Sequence, residues 1–363
     1  KMTIPFMQKG NGLVYGTALA ENEEGDLIIK VYSQRAGVDD LLPDEVKDVD
    51  KSVGVEISVI GEPFSMIQPV KRTIYVDGEP VPAGEIGDEN GVPVPRRATE
   101  TTPPTFSDPT LRFPRPVPIG VSIFNADRLF DIPPRFDCNA GTLGCRCVDA
   151  LGNQYILTNT HVGAAVCDPT CANPLRLTGI VGERLVQPGT FDKLPINCVL
   201  DPDDVLGVLA DWSDVITATE QACAAGLAPI NVMDAAVIQC FPGTTGFATP
   251  PDGWGAPKRT VLDNPRLGTP VQKYGRTTIQ TEGNITGLNV AACVLVGGNR
   301  FAFFHKQVEC ANLTAFGSPL SQGGDSGSLI VVKRPGHPTD RQPVALLFAG
   351  GPAGAVDATL ANP

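Results

Sequence analysis

Residues 321–330 read SQGGDSGSLI. Gly323, Gly324 and Gly327 crowd around Ser326, and the apolar run Leu329-Ile330-Val331-Val332 follows at once. A surface turn needs one glycine or two. Three around a single serine imply a backbone pose that a Cβ atom would obstruct. The strand that follows would anchor that pose at the end of a sheet, so the stretch reads as a mount for the Ser326 hydroxyl.

A serine hydroxyl is a weak nucleophile near neutral pH and needs a base, which in turn needs an acid to fix its tautomer. The chain has three histidines. His161 closes YILTNTHV (155–162), where an apolar strand runs into a polar turn. His305 lies within the strand candidate FAFFHKQ (301–307), and His337 sits in the hairpin loop RPGHPTD (334–340). A strand end holds a side chain better than a hairpin tip, which favours His161. For the acid, Asp234 in INVMDAAVIQC (230–240) precedes two alanines and a strand, the setting of a partly buried carboxylate. Asp204, Asp211 and Asp214 are its rivals. The resulting chain order is His161, Asp234, Ser326, with no G-x-S-x-G elbow around the serine.

The 363 residues suggest two or three folding units. With 34 Pro, 39 Gly and many short Val/Ile/Thr-rich runs, the body is expected to be mostly β. Residues 1–78 read as a small α/β unit: strands at DLIIKVYS (26–33) and GVEISVIG (54–61), and a short helix over DDLLPDEVKDV (39–49). Residues 79–118 read as a linker, because ten prolines fall between Gly78 and Pro118. Residues 119–255 and 256–363 each hold a set of closely spaced antiparallel strand candidates, which implies two barrels side by side.

A net charge of −12 argues against a nucleic-acid partner. No apolar run is long enough for a membrane span, and no export signal is visible, so the expected location is the cytoplasm. The ten cysteines are then reduced thiols at least as readily as disulfides. Their spacing does not fit a zinc site, and the chemistry proposed needs no cofactor. The alternating strands of the N-terminal unit would leave an edge for a second copy, so a homo-oligomer is expected.

With AGTLGCRCVD (140–149), YILTNTHV, VQKYGRTT (271–278), SQGGDSGSLI and ALLFAGG (345–351), the chain resembles trypsin-like serine proteases, and among them bacterial relatives of the plant narrow-leaf proteins. The resemblance runs over nearly the whole chain. It implies a chymotrypsin-like double antiparallel β-barrel, a peptide or protein substrate in the cleft between barrels, and an oxyanion hole from the N–H groups of Gly324 and Ser326. It also places the substrate pocket at Leu320, Phe348, Ala349 and Gly350. An apolar Leu320 at the pocket base implies cleavage after small or medium apolar side chains. In digestive relatives the residue matching Asp325 pairs with a freshly cut N-terminus. Here a long segment precedes the barrels, so Asp325 is expected to be satisfied internally. Two other readings stand beside the endopeptidase: a protease-fold scaffold whose cleft is occluded or gated, and an esterase using the same three residues.

Overall fold

The computed structural model describes residues 14–22, 24–33, 107–127, 139–164, 176–193, 200–297, 300–312 and 319–350, with the backbone of short strand segments at 45–47, 52–59, 64–65, 75–76, 79–80, 86–87, 93–94, 129–130, 135–136 and 359–362. The N-terminal strands are β1 (Val14–Glu21), β2 (Leu27–Ser33), β3 (Glu45–Lys47), β4 (Ser52–Val59) and β5 (Phe64–Ser65). The first barrel uses β6 (Ser122–Asn125), β7 (Gly141–Thr142), β8 (Cys145–Val148), β9 (Gln154–Thr158), the one-turn helix α1 (Thr160–Gly163), β10 (Arg184–Val186), β11 (Val205–Trp212) and β12 (Ala236–Cys240). Between β11 and β12 lies a second short helix, α2 (Glu220–Ala224). The second barrel uses β13 (Pro270–Gly275), β14 (Ile279–Gly297), β15 (Arg300–Ala311), β16 (Leu329–Val332), β17 (Pro343–Gly350) and β18 (Thr359–Asn362).

Both sheets curl into rings. In the first, the order β7-β6-β10-β11-β12-β9-β8 closes because β7 and β8 are consecutive pieces of one bent strand. Val162, from α1, joins Ile123, Phe124, Leu143, Ile156, Leu185, Leu209 and Ile238 inside this ring. In the second, β15-β18-β17-β16-β13-β14 closes through the direct pairing of β14 with β15. Val271, Ile285, Val308, Cys310, Ile330, Val332 and Leu347 fill that interior. Alternating apolar positions make such rings because each strand has one face to bury, and closure removes the sheet edges. The fold class is thus mostly β, a chymotrypsin-like pair of antiparallel barrels.

Of the short helix expected over 39–49, only Glu45–Lys47 are among the described residues, and they form strand β3; the rest of that stretch lies outside the described residues. There β3 pairs with β4 in the register Glu45↔Gly54, and β4 runs parallel to β2. At these three residues cross-strand pairing outweighs the local helix preference of an acidic run. The strands also extend the second barrel's sheet, since β1 pairs with the long β14. A buried cluster clamps that junction. Glu309 on β15 accepts hydrogen bonds from the Tyr32 hydroxyl at 2.6 Å and from Lys30 Nζ at 2.9 Å. Burial, then the Glu309 charge, push the Tyr32 phenol well above its ordinary range.

Cys223 of α2 is disulfide-bonded to Cys293 of β14, a choice the sequence left open. Closing a loop of 70 residues restricts the unfolded chain by ~4 kcal/mol in the chain-entropy account. Cys145, Cys147, Cys240 and Cys310 are free, whereas Cys138, Cys167, Cys171 and Cys198 lie outside the described residues. Cys145 and Cys147 sit two apart on β8 with their sulfurs 3.8 Å from each other. The hydrogen bond from buried Cys145 holds the exposed Cys147 thiol down to about 7. Iodoacetamide should therefore alkylate Cys147 with a midpoint near pH 7, and Cys145→Ala should move that midpoint up toward the ~8.5 of an ordinary thiol. A wild-type midpoint already at the ordinary value would rule out this pairing.

Candidate active site

The loop that carries Ser326 takes its shape from one buried carboxylate. Asp325 is fully buried. Its Oδ1 accepts the N–H groups of Thr277 at 2.8 Å and Thr278 at 3.2 Å. Its Oδ2 accepts the Thr278 hydroxyl at 2.7 Å, the Gln322 N–H at 2.9 Å and Lys273 Nζ at 3.2 Å. Lys273 is itself fully buried on β13. An ionised group in an apolar interior must be paired and hydrogen-bonded, and here every partner comes from the same barrel. Asp325 is thus satisfied internally, as expected. Lys273 is a partner that sequence reasoning missed. The available signal was a lone lysine in PVQKYG (270–275), at the position that shares a strand face with the core residue Val271.

The two glycines beside Ser326 have a geometric reason. Gly324 has φ +97°, and a Cβ on it would lie 2.4 Å from Thr277 Oγ1. Gly327 has φ +93°, and a Cβ there would lie 2.2 Å from the Thr142 carbonyl oxygen and 2.4 Å from Thr158 Oγ1. Both contacts lie far inside the separation of real atoms, and both φ values disfavour an L side chain. Gly327 therefore lets the loop press against the first barrel. Thr142 secures that contact: its N–H donates to the Ser326 carbonyl at 2.7 Å, and its hydroxyl donates to the Gly324 carbonyl at 2.9 Å. The Gly323 carbonyl accepts from the Thr277 hydroxyl at 2.7 Å. A trans peptide points its N–H opposite to its C=O, so the Gly324 N–H faces away from Thr277. Among the described residues, neither the Gly324 N–H nor the Ser326 N–H donates a hydrogen bond.

Thr158, packed against Gly327, ends β9, and His161 stands one turn later on α1. His161 and Asp234 are both fully buried. The His161 Nδ1 lies 2.5 Å from Asp234 Oδ2, and the His161 N–H reaches Asp234 Oδ1 at 3.3 Å. A carboxylate at Nδ1 favours the tautomer with its proton there and leaves Nε2 as the acceptor. Asn159 braces the pair by donating to the Asp234 carbonyl at 2.8 Å. The Thr160 hydroxyl lies 2.8 Å from the Ala235 carbonyl.

The rival acids are occupied elsewhere. Asp214 pairs with Arg176, Thr178 and the Trp212 indole, and Asp204 pairs with Lys193 and Arg112. Asp211 is exposed. His337 bonds to Thr339 within an exposed hairpin.

The pocket residues behave less simply. Leu320 is 1 % exposed and packs into the second barrel's interior, so it is not the floor of an open pocket in this structure. Phe348 packs against Phe304 in a tilted arrangement with ring centroids 4.6 Å apart, while its carbonyl oxygen accepts from Ser326 Oγ at 3.4 Å. Ala349 and Gly350 continue the same strand. The described residues contain no group of three or more His, Cys, Asp or Glu arranged to hold a metal ion.

No protein-family model and no curated protein sequence matches the chain. Among solved structures, it is similar to a glutamic acid specific serine protease, described as using a histidine triad in substrate binding, at 15 % identity and a TM-score of 0.41; the match covers 68 % of this chain and 93 % of that one. It is also similar to Nocardiopsis protease at 14 % identity and a TM-score of 0.39, over 68 % of this chain and 90 % of that one. Cellulomonas bogoriensis chymotrypsin is similar at 14 % identity and a TM-score of 0.38, over 68 % and 91 % respectively.

Removing Lys273 takes from buried Asp325 the cation that pairs with it among the described residues. Lys273→Met should lower unfolding stability by about 3–5 kcal/mol in urea denaturation. A loss below ~1 kcal/mol would mean that the amide and hydroxyl donors hold Asp325 without the lysine.

Proposed function

We propose that the protein is a serine endopeptidase with His161, Asp234 and Ser326 as its catalytic residues. The observation that carries this reading is the buried His161–Asp234 pair, placed one turn beyond the strand against which the Ser326 loop is packed. In the first step the Ser326 hydroxyl rotates off the Phe348 carbonyl and attacks the carbonyl carbon of a peptide bond. Its proton passes to His161 Nε2. Asp234 holds the imidazole ring and stabilises the imidazolium that forms. The carbonyl oxygen becomes an oxyanion, and the N–H groups of Gly324 and Ser326 are its donors; losing one such donor typically costs about 3 kcal/mol of barrier. The C–N bond then breaks as His161 returns the proton to the leaving amine. Water, deprotonated by His161, attacks the acyl-enzyme, the ester bond to Ser326 breaks, and the serine recovers its proton.

Because Asp325 has its own lysine, the site needs no N-terminal cleavage to order its loop. The strand Phe348-Ala349-Gly350 forms the wall of the proposed substrate cleft, and Leu320, which packs into the barrel interior instead of flooring a pocket, brings no charge to select Lys or Arg. Small or medium apolar side chains are the proposed preference. The quoted motifs also support a place among bacterial relatives of the plant narrow-leaf proteins.

A second reading, a gated cleft, is favoured by one observation: His161, Asp234 and Ser326 are all 0 % exposed. Fluorophosphonate labelling separates it from an open enzyme. Wild-type protein should label at one site, and Ser326→Ala and His161→Ala should abolish labelling. Asp234→Asn should lower peptidase kcat by about 10⁴-fold. A folded wild type that resists the probe under all conditions would overturn the endopeptidase reading.

A further inference from the structure

The proposed chemistry requires a peptide to reach Ser326, yet all three residues of the site are closed to solvent. The backbone beside the nucleophile shows what lies in the way. Strand β17 brings the Phe348 carbonyl to 3.4 Å from Ser326 Oγ and then continues through Ala349 and Gly350. At those two residues it is paired antiparallel with β5, in the register Ala349↔Ser65 and Gly350↔Phe64. The same two-residue strand lies parallel to β14 at Leu295↔Phe64. A segment from well ahead of the barrels is therefore laid on the sheet next to the nucleophile.

We propose that Phe64–Ser65 is an internal substrate mimic, which occupies the strand edge that an extended peptide must take to present its carbonyl to Ser326. This inference rests on the endopeptidase reading and specifies how that site is regulated. Extended peptides bind proteins by adding a strand to a sheet edge, where main-chain hydrogen bonds supply much of the affinity. Such an edge accepts one strand at a time. β5 matches that mode in being extended, antiparallel to β17, and only one residue past Phe348. Its length also suits a removable block. Two residues make few hydrogen bonds, so the segment can leave the edge without unfolding either barrel. Its covalent attachment to the same chain still keeps its effective concentration high. A substrate must then outcompete the tethered strand, which favours long extended chains over short peptides. The resting state is closed and the working state has β5 displaced.

The test uses the full chain and a rhodamine-tagged fluorophosphonate. Phe64→Pro and Ser65→Pro each remove a backbone N–H and disfavour pairing. At least one should label 10-fold or more faster than wild type. A synthetic peptide with the sequence of residues 60–69, IGEPFSMIQP, should slow labelling of that variant again. If a proline variant loses its native circular dichroism, the double variant Phe64→Gly/Ser65→Gly replaces it, because it keeps every N–H while weakening the strand. Equal labelling of wild type and all folded variants would overturn the inference and leave the nucleophile assignment standing. No labelling of any folded form would remove the endopeptidase reading, and the inference with it.

Discussion

The ion pair between Lys273 and Asp325 is the contact on which the site depends. Both side chains are fully buried, and the carboxylate is held by four hydrogen bonds in addition to the lysine. A charge in that position cannot move without losing partners that water cannot replace. The residues on either side of Asp325 are therefore fixed. The backbone turns through Gly324 and Gly327 with positive φ, leaves the Gly324 and Ser326 N–H groups unengaged among the described residues, and sets Ser326 at the loop's apex.

The rest of the site is built from the first barrel toward that loop. Thr142 bonds the carbonyls of Gly324 and Ser326 and so joins the barrels. Thr158 meets Gly327, and one turn later the chain delivers His161 to Asp234. Small residues matter here because the two barrels approach to backbone contact: a Cβ on Gly144 would lie 2.4 Å from the Gly327 carbonyl oxygen. Each barrel is rigid through its own closed ring and core, so a few hydroxyl and amide bonds suffice to register one against the other. The N-terminal strands are not a separate appendage to this frame. β1 extends the second barrel's sheet, and the Lys30–Glu309–Tyr32 cluster and the Cys223–Cys293 bond secure that end of the molecule.

Much of this was legible in the residues. Three glycines around one serine signalled an unusual backbone, and the scarcity of histidines narrowed the candidate partner of Asp234 to His161. The strand sets predicted two antiparallel barrels because period-two apolar patterns need a shared interior. The acid was harder. Asp204, Asp211, Asp214 and Asp234 look alike in sequence, and only the fold assigns the first to Lys193 and Arg112, the third to Arg176, Thr178 and the Trp212 indole, and the last to the imidazole. Lys273 was hidden for the same reason, since it lies some fifty residues from Asp325. Of the short helix expected over 39–49, Glu45–Lys47 form a strand, because an acidic, polar run suits a helix and an edge strand equally until a partner strand exists; the remainder lies outside the described residues.

The sequence by itself determined the fold class and the glycine-framed Ser326 loop, and it set His161 apart from the other two histidines, because these follow from local backbone demands and residue scarcity. Tertiary structure alone decided which carboxylate meets His161, which cation neutralises Asp325, that Leu320 faces the barrel interior, and that Phe64–Ser65 lies on the strand beside Ser326. Each of those is a contact between residues far apart in the chain. Such contacts depend on how two closed barrels and an added sheet edge are registered, and no local pattern encodes that register.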